Sequence, residues 1–222
     1  MDLLIFLLIM IVPLWAQHYI NVWYRRTKKM ESNANIKGCD VARKILDKNG
    51  LSDVKVVETS GVLSDHYDPK AKVVRLSSDI YNKTSLAAVS VAAHECGHAI
   101  QDKDNYFFLR LRSSLVPIVN LSSIGGYIAV LIGLAMAAMK FIWLGIILEL
   151  VILLFQLITL PVEFNASKRG LQQITDLGMV GSDEHKYCFK MLRAAALTYV
   201  ASVVTALLDI LRLLLIVRRD SN

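Results

Sequence analysis

Hydrophobic and polar positions are segregated along the chain in long blocks. The first apolar run, residues 3–16, continues through Gln17 and His18 into Tyr19, Ile20, Val22 and Trp23. Taken to Trp23, it reaches the ~20 residues that a membrane-crossing helix needs. Trp15, Tyr19, Trp23 and Tyr24 read as interfacial aromatics. Met1 and Asp2 precede the run and supply no positive n-region, so an anchor is expected in place of a cleaved signal. Residues 115–139 form a second, uncharged run; Lys140 interrupts; residues 141–162 form a third, broken only by Glu149. Together they predict a transmembrane hairpin turning near Lys140. A fourth run, residues 194–217, contains Asp209 and Arg212, which can pair as i, i+3 neighbours on a helix. A span is the expectation there, with an interfacial or re-entrant helix as the alternative.

Residues 25–113 have a different pattern, with ordinary soluble composition. Residues 39–48 place Val41, Ala42, Ile45 and Leu46 on one helical face, with Gly50 just beyond. VKVVE (54–58) and KVVRL (72–76) are short β-type runs separated by a loop containing Gly61 and Pro69, which predicts a small antiparallel sheet. Residues 84–101 predict a helix capped by Thr84 or Ser85. The expected organisation is therefore an anchor helix (1–24), a soluble core (25–113), a transmembrane hairpin (114–162), further helices (163–193), and a fourth transmembrane or re-entrant helix with a basic C-terminus (194–222).

Composition supports this division. The chain of 222 residues is 55% hydrophobic, against a usual ~45–50% apolar. Lys+Arg 25 against Asp+Glu 19 gives a net charge of +6. Much of the positive charge flanks the apolar runs, at Arg25, Arg26, Lys28, Lys29, Arg110, Arg112, Lys168 and Arg169. That placement points to membrane topology and away from nucleic acid, and the positive-inside rule predicts a cytoplasmic 25–113 segment. Cys39, Cys96 and Cys188 offer no disulfide framework, as expected of a reducing compartment.

The predicted helix at 84–101 carries His94-Glu95-Cys96-Gly97-His98, an H-E-x-x-H motif. Spacing i, i+4 puts both imidazoles on one face, where they can share a tetrahedral Zn²⁺. Glu95, displaced by about 100° around the helix, can instead act as the general base on a metal-bound water. Cys96 points elsewhere and reads as a small buried thiol. Gly97 costs ~1 kcal/mol relative to Ala in a helix interior, so a close approach to the helix is expected there. A hydrolytic zinc site wants a third protein ligand. Asp102 is poorly placed for it. Glu163 is the better candidate, because the hairpin returns the chain to the same membrane face. Asn165 and Ser167 could orient a ligand. The competing function is a membrane scaffold or sensor with a structural zinc, although such a site should be closed by four ligands and need no base. A transporter built on Glu149, Asp209 and Arg212 is a third reading, disfavoured by the small size and the lack of paired broken helices.

AAHECGHAIQ (92–101), LSDHYDPKAKVVRLS (63–77), LPVEFNAS (160–167) and AALTYVA (195–201) occur in this order. In them the chain resembles the YugP-type membrane zinc metallopeptidases of bacteria, over essentially its whole length. It is more distantly similar to the HtpX group of integral-membrane proteases, which usually has Asp four residues after the Glu ligand; Ser167 stands there instead. The resemblance implies a mainly α, multi-pass protein of the bacterial plasma membrane, with a zincin-like α+β core whose helices are joined by the transmembrane hairpin. It implies one Zn²⁺ per chain on His94, His98 and Glu163, with Glu95 as base. The substrates would be proteins or peptides, membrane proteins among them, cleaved at the cytoplasmic surface. In zincin-type proteases an edge strand beside the His helix binds the substrate backbone, and Val73, Val74 and Arg75 are the expected edge. Tyr199 is the first candidate for oxyanion donor, with Tyr67, His66 and His185 behind it.

Overall fold

A computed structural model describes residues 2–220. Its elements are helix α1 (Asp2–Lys28), α2 (Gly38–Lys48), strand β1 (Lys55–Thr59), β2 (His66–Asp68), β3 (Val73–Ser77), and helices α3 (Ser78–Tyr81), α4 (Leu86–Lys103), α5 (Phe107–Ala135), α6 (Met139–Asp176) and α7 (Ser182–Asp220). The protein is thus mainly helical. α1, α5, α6 and α7 each have the length and apolar composition to cross a membrane. The hairpin turn falls at residues 136–138, just before Lys140. α6 and α7 run well past their apolar stretches, so the apolar residues before Val162 and the polar ones after it share one unbroken helix.

Two compact units divide the chain. One comprises residues 2–17, 110–161 and 197–220. Its interior is formed by α6 and α7, through Ile142, Ile146, Val203, Ala206 and Ile210. Glycines let the helices of the hairpin meet: a Cβ on Gly145 would fall 2.4 Å from Val130 Cγ2. Leu3 and Leu121 are 70% and 74% exposed, as expected of side chains that face lipid and not water. Asp209 and Arg212 pair at 3.7 Å along α7.

The other unit comprises residues 18–109 and 162–196. α4 is its central element, with Leu86, Ala88, Val89, Ala92, Ala93, Cys96 and Ala99 fully buried. Ser85 caps it, accepting a hydrogen bond from the Ala88 amide, so the second of the two expected caps is the one used. α2 packs the predicted face, with Val41, Ala42, Ile45 and Leu46 buried. The sheet differs from expectation. β1 and β3 pair in parallel, from Lys55 opposite Val73 to Thr59 opposite Ser77. The loop between them contains β2, which pairs antiparallel with β3. Asp68 builds the turn by accepting hydrogen bonds from the Lys70 and Ala71 amides, which folds β2 back onto β3. The order is β1-β3-β2 and the sheet is mixed. β3, the middle strand, is accordingly buried at Val73, Val74, Leu76 and Ser77.

α4 meets the 162–176 part of α6 at backbone distance. A Cβ on Gly97 would lie 2.3 Å from the Ala166 carbonyl oxygen, and one on Gly170 would lie 2.5 Å from the Ala93 carbonyl oxygen. The close approach expected at Gly97 is therefore made by Ala166. One turn further, the Gln101 amide donates to the Val162 carbonyl at 2.8 Å. Each step of four along α4 is matched by four back along α6, so the two stretches run antiparallel.

Gly97→Ala should destabilise the protein by about 1–3 kcal/mol, outweighing the ~1 kcal/mol gain in helix propensity, and Gly170→Ala should do the same. Gly125→Ala, whose Cβ would meet only Leu148 Cδ1 at 3.5 Å, should leave Tm unchanged or raise it. Thermal denaturation of the three detergent-solubilised variants tests this.

Candidate metal centre

α4 carries His94 and His98 one turn apart, with ring centroids 4.8 Å apart and planes crossing at 82°. The α4–α6 register sets Glu163 opposite them. Its Oε2 lies 3.3 Å from His94 Nε2 and 3.7 Å from His98 Nε2. Ligand atoms of the three residues all fall within 4.8 Å of one another. Two ligands at 2.0–2.2 Å from a tetrahedral zinc stand about 3.4 Å apart, so the donor set fits that ion in chemistry and spacing. Glu163 and His98 are buried and His94 is nearly so.

The far side of each ring is also engaged. His94 Nδ1 is 3.1 Å from Ser167 Oγ, and His98 Nδ1 is 3.0 Å from Gln101 Oε1. Gln101 is fully buried. Its amide nitrogen donates to the Val162 carbonyl and, at 3.0 Å, to Asn165 Oδ1. Those two partners accept only, so the Gln101 carbonyl oxygen must face His98. That oxygen also only accepts, so His98 Nδ1 must carry the proton. The lone pair of neutral His98 is then on Nε2, toward Glu163 and His94. Asn165 is held in turn by Arg169 Nε at 2.8 Å, and Arg169 pairs with Asp104 at the end of α4. Ser167 and Asn165 were legible as candidates. Gln101 was missed, although its place three residues after His98, on the same helical face, was the available signal.

Glu95 is buried beside the three. Burial pushes its carboxyl up to about 7; the His94 imidazole opposes that, while the Glu163 and Asp65 charges add to it. The Tyr67 backbone amide lies against the same carboxylate and favours its charged form. Cys96 points away, its thiol 3.6 Å from the Ala42 carbonyl.

Other expected residues lie elsewhere. Asp102 accepts from Tyr67 Oη at 2.8 Å and Lys72 Nζ at 2.6 Å, which ties the β2–β3 hairpin to α4 and occupies both groups. Val73, Val74 and Arg75 do not form an edge. β1 covers one side of them and β2 the other, so no substrate strand can add there. The hairpin at Asp68 is the cause, since it inserts β3 into the middle of the sheet. The exposed edges are β1 and β2. Tyr199 is on α7, in the unit formed by residues 2–17, 110–161 and 197–220.

A buried H-E-x-x-H helix facing a carboxylate from a second helix, in a chain with four membrane-length helices, marks the class of membrane zinc metallopeptidases. The chain belongs to the family described as "Putative neutral zinc metallopeptidase", which it matches over residues 2–218. It is 44% identical over 210 residues to "Putative membrane protease YugP" of Bacillus subtilis (strain 168), covering 94% of this chain and 93% of that protein. No solved structure matches it significantly.

Gln101→Leu should keep the fold but lower zinc affinity by roughly 10–100-fold, read by competition with a chromogenic chelator.

Proposed function

We propose that the chain is a membrane-embedded zinc endopeptidase that hydrolyses peptide bonds at the cytoplasmic membrane surface. The observation that carries this reading is the convergence of His94 Nε2, His98 Nε2 and Glu163 Oε2, with the Glu95 carboxyl buried alongside. One zinc ion held by the three would polarise the scissile carbonyl and acidify a water molecule. Glu95 takes the proton of the attacking water and returns it to the leaving amine. A carboxyl poised near neutrality suits both transfers. Gln101 and Ser167 hold the imidazoles so that Nε2 of each stays directed at the centre. β2 is the strand best placed to align a substrate backbone, because it is an edge and its Tyr67 amide already lies at Glu95. The Tyr67 hydroxyl is engaged by Asp102. A scaffold with a structural zinc would have no use for a buried carboxyl next to, but outside, the ligand set.

Glu95→Gln should bind zinc as the wild type does and lose cleavage of an unfolded substrate such as casein by at least ~10²-fold; undiminished cleavage would refute the mechanism. Glu163→Ala should lose zinc, and full retention of tightly bound metal would move the third ligand elsewhere. In sealed inverted vesicles, externally added protease should cut the 25–109 segment; protection of that segment would reverse the assigned side.

A further inference from the structure

A groove of about 410 Å³ runs between the 164–171 stretch of α6 and the 189–196 stretch of α7. Phe164, Leu171, Phe189 and Leu192 line it, together with the exposed Lys168 and Arg193. We propose that it is a binding site for an anionic phospholipid, with an acyl chain along the apolar walls and the phosphate held by Lys168 and Arg193.

The groove is separate from the metal centre. None of His94, Glu95, His98 or Glu163 lines it. The shared residue, Ser167, meets His94 at Nδ1, on the side of the ring away from Nε2. Both walls are helices, so their backbone groups are already paired within α6 and α7. An extended peptide laid there would bury amides with no partners. An acyl chain needs no hydrogen bonds and is narrow enough.

Charge selects the headgroup. Lys168 and Arg193 are exposed, and among the described residues neither forms an ion pair. Their neighbour Arg169 is held by Asp104 and Asn165. Two uncompensated cations beside the apolar residues of the groove, Phe164 among them, complement a phosphate joined to a hydrocarbon chain. The level along the helices also agrees. The apolar run of α6 ends at Val162, so Lys168 lies about 9 Å further along the axis. The apolar run of α7 opens at Ala194, next to Arg193.

The test uses the zinc-loaded full chain in phosphatidylcholine nanodiscs doped with a phosphatidylglycerol that carries a diazirine on its acyl chain. Irradiation and peptide mapping should place cross-links in residues 164–171 and 189–196. Unlabelled phosphatidylglycerol should compete them away, and the matching phosphatidylcholine probe should label these segments several-fold less. K168Q/R193Q should weaken labelling by roughly thirtyfold, about fivefold for each charge, with zinc content unchanged. Equal labelling by the two probes, or labelling that survives K168Q/R193Q, would reduce the groove to ordinary lipid contact and overturn the proposal. So would displacement of the probe by an added apolar peptide.

Discussion

The backbone contact between α4 and α6 is the constraint on which the metal centre depends. Two glycines make it, one on each helix. Gly97 admits the Ala166 carbonyl and Gly170 admits the Ala93 carbonyl, and because both pairs are spaced i, i+4 the contact fixes rotation and sliding as well as distance. Once Gly97 faces Ala166, Val162 comes level with Gln101, the Glu163 carboxylate reaches both His94 and His98, and the Ser167 hydroxyl reaches His94. Adding one methyl group at either glycine would move a carboxylate that must reach two imidazoles at 3.3 and 3.7 Å. The polar chain Asp104–Arg169–Asn165–Gln101–His98 crosses the same seam. Sterics set the spacing and hydrogen bonds then fix the ring orientation.

The two carboxyls buried at this seam meet different surroundings. Glu163 is matched by two imidazoles within 4 Å. Glu95 has one amide hydrogen bond and His94 to set against full burial and a neighbouring carboxylate, and so it titrates near neutrality. The two carboxyls thus differ in their surroundings: Glu163, on α6, faces both imidazoles, while Glu95, about 100° around α4 from His94, is set mainly by burial.

Much of this was legible in the sequence because it rests on local periodicity. The four apolar runs, the α2 face, the Ser85 cap and the i, i+4 pairing of His94 and His98 all follow from helical geometry within one segment. Gly97 signalled a neighbour through its cost to the helix, without naming Ala166. What was not legible depends on pairing between segments. The runs at 54–58 and 72–76 look the same whether they pair parallel or antiparallel, and three residues, His66–Asp68, are too short to stand out as a strand. Their presence inverted the expected sheet and moved β3 from its edge to its centre. Gln101 looked like an ordinary helix residue because its partners, Val162 and Asn165, come from more than sixty positions further along the chain.

That separation has a consequence during biosynthesis. His94, Glu95 and His98 leave the ribosome before the apolar hairpin, and Glu163 follows only after it. Sixty-five residues part His98 from Glu163, which at about 5–20 residues per second is several seconds of synthesis. A nascent chain that ends within the hairpin carries at most two of the three candidate ligands. The candidate centre is thus completed only after both helices of the hairpin have been synthesised.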